Sequence, residues 1–130
     1  MYTYRKKIEK SHSATTGTST IDILNLSSFA VGTIADIEVK VTLYDVVNEK
    51  SSIVYHRTVD VIDPSNSYYA PLVDNDSSFK AAEIEALFAA RVENVYYQHT
   101  SMNIYIEAFN NTSLGTLNTI CVIDYKINFY

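Results

Sequence analysis

The sequence predicts a mainly β fold, an antiparallel β-sandwich or flattened barrel with one inserted α-helix and an extended N-terminal arm. Ile, Val, Thr and Tyr are abundant among the 130 residues, and these residue types suit a pleated, half-buried surface. Several segments alternate apolar and polar side chains with period two, which is typical of strands with one wet face. The hydrophobic fraction of 47% is enough for the core of one ordinary domain.

We expect residues 1–19 to form an extended arm and residues 20–130 to form a single β-sandwich domain. The arm segment shows no clean period, and its charge differs from that of the body. Residues 1–12 hold four cations and one acid, net +3, whereas the rest of the chain holds 6 basic and 14 acidic residues, net −8. A basic arm beside an acidic body suits head-to-tail packing on a neighbouring subunit. A disordered tail and a nucleic-acid contact are the alternatives.

Residues 20–63 contain the clearest strand patterns. TIDILNL (20–26) changes parity between its isoleucines and leucines, which predicts a β-bulge or a strand buried on both faces. Residues 27–33 predict a bend followed by a short edge. Residues 34–47 and 52–63 alternate strictly around four polar residues, which predicts a β-hairpin. In the second run, Ile53, Tyr55, Val59 and Val61 share one face, and Val54, His56, Thr58 and Asp60 share the other.

Residues 64–95 interrupt the β pattern. Residues 64–78 predict a loop with one short strand around 68–73, which Pro71 confines to a sheet edge. A helix is predicted over about 78–91, because five apolar residues follow helical spacing and alanines lie between them. These five residues are Ile84, Leu87, Phe88, Val92 and Val95.

The C-terminal part returns to β structure. In residues 103–109, Ile104, Ile106 and Ala108 lie on one face, and residues 110–115 predict a turn. Residues 116–130 predict a long closing strand in which alternate residues from Leu117 to Phe129 share a face. Ile120 and Val122 make its other face apolar as well. This strand should therefore be central in a sheet, or covered by the helix or by a neighbour.

No pattern in the sequence specifies a reaction, a cofactor or a metal, and we expect none of the three. The three histidines are scattered, and neither a nucleophile elbow nor a glycine-rich phosphate loop is present. Cys121 lies within an apolar strand, where a thiol behaves as a small hydrophobe. Asp74 and Asp76 could offer oxygen ligands to calcium, but a calcium loop needs a glycine where Phe79 stands. Capping of the helix is the favoured role of these acids.

Synthesis and folding in a cytoplasm are expected. The basic N-terminal residues are followed by no apolar region, so they do not form a secretory signal peptide. No apolar run has the length of a membrane span, and we expect no membrane partner. The acidic body should repel nucleic acid, which leaves the basic arm as the one segment suited to such a contact.

The tyrosines favour contacts with proteins. The chain has 11 Tyr and no Trp, and tyrosine buries area at interfaces while keeping a polar tip. A carbohydrate- or peptide-binding module that uses surface tyrosines is the alternative, and a small enzyme with its site in loops 64–78 and 96–101 is a third hypothesis. The predicted interface residues are Tyr2, Tyr4, Arg5, Lys6, Lys7, Tyr44, Tyr68, Tyr69, Tyr96 and Tyr97.

In overall character the chain resembles the small β-sandwich virion proteins of tailed phages, those of the head–tail connector, the tail or the capsid surface. The resemblance rests on size, the arm, the inserted helix and the missing signal peptide, and it carries no motif. It implies a non-enzymatic structural protein that assembles with copies of itself or with other virion proteins. It also implies synthesis in a host cytoplasm and incorporation into a virion.

Overall fold

A computed structural model describes residues 2–29, 31–46, 49–65, 69–71, 73–77, 90–110 and 116–130, with the backbone alone for residues 50, 69–71 and 73–77. The described residues form nine strands in two antiparallel sheets. The strands are β1 (Tyr2–Ala14), β2 (Gly17–Asn25), β3 (Ile34–Asp45), β4 (Lys50–Val61), β5 (Tyr69–Pro71), β6 (Val73–Ser77), β7 (Ala90–Gln98), β8 (Asn103–Asn110) and β9 (Leu117–Phe129).

The two sheets form a sandwich around one buried apolar core. Sheet A has the strand order β1-β9-β3-β4-β6, and sheet B has the order β2-β8-β7-β5. The first two strands pair with the last two, β1 with β9 and β2 with β8, so each chain end contributes to both sheets. Alternate residues of β3, β8 and β9 face the core, among them Ile37, Ile106 and Ile123. The prediction of a mainly β, two-layered fold is confirmed.

The predicted hairpin and the predicted closing strand are both confirmed. β3 and β4 pair from Ile34↔Val61 to Asp45↔Lys50 without a break. β9 lies between β1 and β3, and its inward residues from Thr119 to Phe129 are buried. A central strand of a sandwich needs this alternation because one of its faces forms the core.

The predicted helix falls mostly on residues 78–89, which lie outside the described residues. Its predicted C-terminal end was wrong, because Ala90 and Arg91 begin strand β7. The helical spacing of Val92 and Val95 has another cause. The register of β7 with β8 shifts between Val92 and Asn94, so both valines face the core although they lie three residues apart.

A second register shift confirms the bulge predicted in β2. Pairing with β8 is interrupted between Thr20 and Asp22. The extra residue changes the parity of the strand, so Ile21 and Leu24 are both buried while Ile23 is 51% exposed.

Strand β4 turns its more apolar face outward. Val54 is buried, whereas Val59 is 56% exposed. The register explains the orientation, because Val41 of β3 faces the core and its direct partner is Val54. Directly opposite residues of antiparallel strands share a face, so the even-numbered residues of β4 must point inward.

The segment predicted as an arm is part of the sandwich. Residues 2–14 are extended, as expected, but they form β1 and pair with β9 of the same chain along thirteen positions. They therefore do not project from the body. Residues 27–29 and 31–33 form turns without the short edge strand that was predicted. β5, which contains Pro71, is the outermost strand of sheet B, as the proline required.

Candidate interaction surface

Strand β1 is the longest of the four outermost strands of the two sheets. It has 13 residues, against 9 in β2, 3 in β5 and 5 in β6. Its register with β9 contains no shift, whereas the pairings of β2 and β6 each contain one. One side of β1 therefore presents a long, regular edge that pairs with no other strand among the described residues.

Aromatic rings hold the N-terminal end of β1. The Tyr2 ring lies 6.1 Å from the Phe129 ring, and the Tyr4 ring meets the Phe29 ring edge-on at 5.6 Å. Phe29 and Phe129 stack on each other at 4.1 Å between centroids. These contacts join β1, the turn after β2 and the end of β9, and they involve the rings of both predicted interface tyrosines, of which Tyr2 is still 57% exposed.

Polar contacts hold the other half of β1 against sheet B. Lys10 Nζ lies 3.4 Å from Asp22 Oδ1, and the Tyr125 hydroxyl donates to Asp22 Oδ2 at 2.6 Å. Burial and this hydrogen bond raise the pKa of the Tyr125 phenol well above its usual value. His12 Nε2 lies 2.9 Å from Ser19 Oγ, and burial, with a smaller effect of Lys10, lowers the pKa of His12.

Three cations on β1 have no ion-pair partner among the described residues. Arg5, Lys6 and Lys7 are exposed and form no ion pair within the described part of the chain. They line a shallow cleft of about 330 Å³ together with Asp124, Tyr125 and Lys126. We call Arg5, Lys6 and Lys7 the cationic edge. Lys126 is ion-paired with Glu38 at 3.7 Å, so the positive charge of this cleft comes from the cationic edge, with Asp124 as the one carboxylate in its lining.

A charged band crosses the outer face of sheet A beside this edge. Arg57 donates to both carboxylate oxygens of Asp36, at 2.9 and 2.8 Å, and Asp36 is buried beneath it. The hydroxyl of Tyr55 donates to Glu38, which raises the pKa of Tyr55 to about 12. These paired charges are internally satisfied, unlike those of the cationic edge.

Exposed apolar side chains lie on both sides of this band. Ile34 pairs with Val61, and the amide of Tyr130 donates to the Ile34 carbonyl at 2.9 Å, so these residues are neighbours. Val59 lies in the next row. The first apolar patch comprises Ile34, Val59, Val61 and Tyr130, and the second comprises Tyr44, Val46 and Ile120. No described element covers either patch, and grouped exposed apolar residues are typical of interaction sites.

The outer face of sheet B carries a different surface. Tyr96 and Tyr105 are half-buried and stack across β7 and β8 at 5.1 Å between ring centroids. Asn103 donates to the Tyr105 hydroxyl at 3.2 Å and accepts from Asn25 at 2.7 Å. Hydrogen bonds from Asn103 and Ser101 lower the pKa of Tyr105.

A histidine and a carboxylate meet inside the sandwich. His99 Nε2 lies 3.1 Å from Asp60 Oδ2, and the ring of Tyr97 meets that of His99 edge-on at 4.9 Å. Burial and the nearby Asp60 and Asp63 raise the pKa of Tyr97 to about 12. Within the described residues, His99 Nδ1 and the Tyr97 hydroxyl have no hydrogen-bond partner. A carboxylate-held imidazole resembles a general base, but His99 is only 2% exposed and solvent reaches the pair only at Asp60, which is 36% exposed, so the main effect of the contact is to connect the sheets.

The predicted interface residues lie in different places. Tyr2, Tyr4 and the cationic edge belong to β1, Tyr44 belongs to the second apolar patch, and Tyr96 lies on sheet B. Tyr97 is 1% exposed, so its expected exposure was wrong, because the bulge in β7 turns it toward the core. Tyr68 lies outside the described residues, and only the backbone of Tyr69 is described.

Sequence reasoning missed other residues of these surfaces. Lys126 reaches the cationic cleft and belongs to a strand that was predicted correctly. Tyr105 was among the tyrosines considered for a surface, but its stacking on Tyr96 was not predicted. Parity alone indicated the faces of both residues, but not the strands beside them. Val59 and Val61 were grouped on one face, and only the register with β3 shows that this face is the outer one.

Two observations concern metal binding and membrane crossing. In the described ranges, no three or more His, Cys, Asp or Glu side chains are grouped so that they could hold a metal ion. The same part of the chain contains no helix long and apolar enough to cross a bilayer.

Comparison of the chain with protein families, with curated proteins and with solved structures found no match in any of the three.

Proposed function

We propose that this protein is a non-enzymatic structural subunit that assembles with copies of itself or with other structural proteins. The observation that carries the proposal is the outer face of sheet A, where the first apolar patch is exposed on a regular sheet. Burying such side chains against a neighbour removes apolar area from water, and the paired charges between the two patches would set the register of the contact. The setting that we propose is the virion of a tailed phage, after synthesis in the host cytoplasm.

The absence of an enzymatic function is part of this proposal. Two features of the described residues support it. The Cys121 thiol is buried and its pKa is raised mainly by that burial, which suppresses the reactive thiolate. His12 and His99 lie in separate, structural contacts, with Ser19 and with Asp60.

The test measures self-association of the full chain. Removing residues 1–19 would delete strand β1 and expose β9, so point variants are needed. Size-exclusion chromatography with light scattering, followed by negative-stain imaging, should show oligomers that grow with concentration. Val59→Glu should shift them to monomer, because a carboxylate in the first apolar patch opposes its burial.

Ile23→Glu is the matched control. It places the same charge at an equally exposed strand position on the opposite sheet, so assembly should be unchanged. Wild-type chain that stays monomeric at every concentration would overturn the proposed self-assembly. Equal loss of assembly in both variants would show that net charge, not this face, controls association.

A second candidate function is a carbohydrate-binding module on sheet B. It is favoured by the Tyr96–Tyr105 pair with Asn25 and Asn103 beside it, since aromatic rings and amides together suit sugar hydroxyls and ring faces. A glycan array followed by titration calorimetry tests it. Loss of binding in Tyr105→Ala but not in Val59→Ala, an exposed position on sheet A, would support this function, and an array without hits would end it.

A further inference from the structure

The outward side of β1 pairs with no strand in the described part of the chain, and its charges restrict what could pair with it. Thirteen successive residues are held straight by β9, by the aromatic contacts of Tyr2 and Tyr4, and by the Lys10–Asp22 ion pair. An edge that is already ordered loses little further entropy when a strand adds to it. The β1 edge is therefore preorganised to pair with an extended segment of a partner.

The charge of the edge restricts which segment can bind. Successive residues of a strand point to opposite faces, so Arg5 and Lys7 lie on the outer face and Lys6 on the other. Lys126 lies beside them, but its charge is paired with Glu38 at 3.7 Å, so Arg5, Lys6 and Lys7 carry the charge preference. A second β1 strand is net positive as well, even with Glu9 counted, so charge repulsion opposes its approach to this edge. Lysines on an edge also discourage pairing with unselected strands.

We propose that the β1 edge binds an extended acidic segment of a partner protein by strand addition, with consecutive Asp or Glu residues opposite Arg5, Lys6 and Lys7. Backbone hydrogen bonds to β1 would supply the pairing, and ion pairs on both faces would select acidic sequences. The partner proposed here occupies a different surface from the one assigned to self-assembly, so it goes beyond the proposed function.

A peptide fits these observations better than a nucleic acid does. The cations lie on both faces of one strand, which matches the alternating side chains of a peptide strand. Single-stranded nucleic acids also stack their bases on aromatic rings, and the rings of Tyr2 and Tyr4 already contact Phe129 and Phe29.

The experiment uses the full chain and a labelled eleven-residue peptide of Thr and Val with three central glutamates, read by fluorescence anisotropy. Binding should weaken with salt, and a peptide with three central lysines should not bind. Lys6→Glu should weaken binding by about tenfold through lost attraction and new repulsion. Lys40→Glu makes the same charge change on an exposed residue of β3, an interior strand of sheet A, and should alter affinity by less than about threefold.

Backbone methylation separates strand addition from simple charge attraction. Two further peptides carry N-methyl groups on alternate amides, one set at odd and one at even positions. Pairing uses the amides of one parity, so one set should abolish binding and the other should leave it nearly intact.

Three results would overturn the proposal: no binding of the acidic peptide, equal binding of both methylated peptides, or tighter binding of an oligothymidine than of the acidic peptide. None of these results depends on self-association, because each is measured at protein concentrations below those that assemble. Failure here would thus be distinct from failure of the proposed function. An effect of Lys6→Glu no larger than that of Lys40→Glu would also reject the cationic edge as the site.

Discussion

Replacing Tyr125 with phenylalanine tests the contact that connects β1, β2 and β9. The hydroxyl of this buried side chain donates to Asp22 at 2.6 Å, and the ring packs in the core, so Tyr125→Phe removes the hydrogen bond and keeps the packing. Hydrogen bonds to charged groups contribute about 1.5–3 kcal/mol. Asp22 keeps Lys10 at 3.4 Å and its side chain is 15% exposed, so we expect a loss near the lower limit, about 1.5–2 kcal/mol.

Urea unfolding followed by far-ultraviolet circular dichroism measures this loss, and the midpoint should fall at unchanged slope. For a chain of this size the melting temperature should fall by roughly 5–8 °C. Tyr105→Phe is the control, because Tyr105 is half-buried and accepts from Asn103 without a carboxylate partner. We expect it to cost less than about 0.5 kcal/mol.

Alkaline pH gives an independent measurement of the same contact. The unfolded phenol ionises near its usual pKa of 10.0, whereas the folded one ionises well above it. The folded state binds more protons above pH 10, so wild-type stability falls there as pH rises. Tyr125→Phe removes this group, and its stability should fall less steeply above pH 10. A loss below about 0.5 kcal/mol at pH 7, with the same alkaline slope as wild type, would refute the contact.

Three further predictions concern acid pH, the core and the thiol. Burial lowers the pKa of His12 below 6.5, so the unfolded state takes up the proton first and the free energy of unfolding falls as pH drops below 6.5. His12→Gln should flatten this fall in urea midpoints measured between pH 7.5 and 5.5. Parallel profiles of wild type and variant would contradict the prediction. Ile106→Ala should lower the free energy of unfolding in urea by about 2–5 kcal/mol, against less than about 0.5 kcal/mol for Ile23→Ala at an exposed position. Similar losses in the two variants would contradict the burial of Ile106 in the core. Cys121 should react with Ellman's reagent only on unfolding, and rapid labelling of native chain would disprove its burial.

Local patterns predicted the strands well wherever one face of a strand is apolar and the other is polar. The alternation in β3, β8 and β9 identified their inward residues, since side chains alternate along any strand whatever its neighbours are. The parity change in TIDILNL indicated a bulge, because one extra residue must invert the alternation. A bulge also explains why the helix prediction extended too far, because in β7 it places Val92 and Val95 on one face at the three-residue spacing that is typical of a helix.

The candidate surfaces depended on information that no local pattern contains. The basic N-terminal residues were recognised from charge, but their pairing joins Tyr2 to Phe129 at the opposite end of the chain. Tyr105 and Lys126 became part of surfaces only because strands distant in sequence brought Tyr96 and the cationic edge beside them.

By itself the sequence determined that this is a β protein with one apolar core, a basic N-terminus and a central C-terminal strand. These properties follow from residue type and from the two-residue period, which act within a single segment. The tertiary structure alone decided that the N-terminal residues are an edge strand and not a free arm, that Val59 and Val61 face outward, and that Tyr97 is buried. Each of these depends on register between strands distant in sequence, because a shift of one residue exchanges the two faces of a strand.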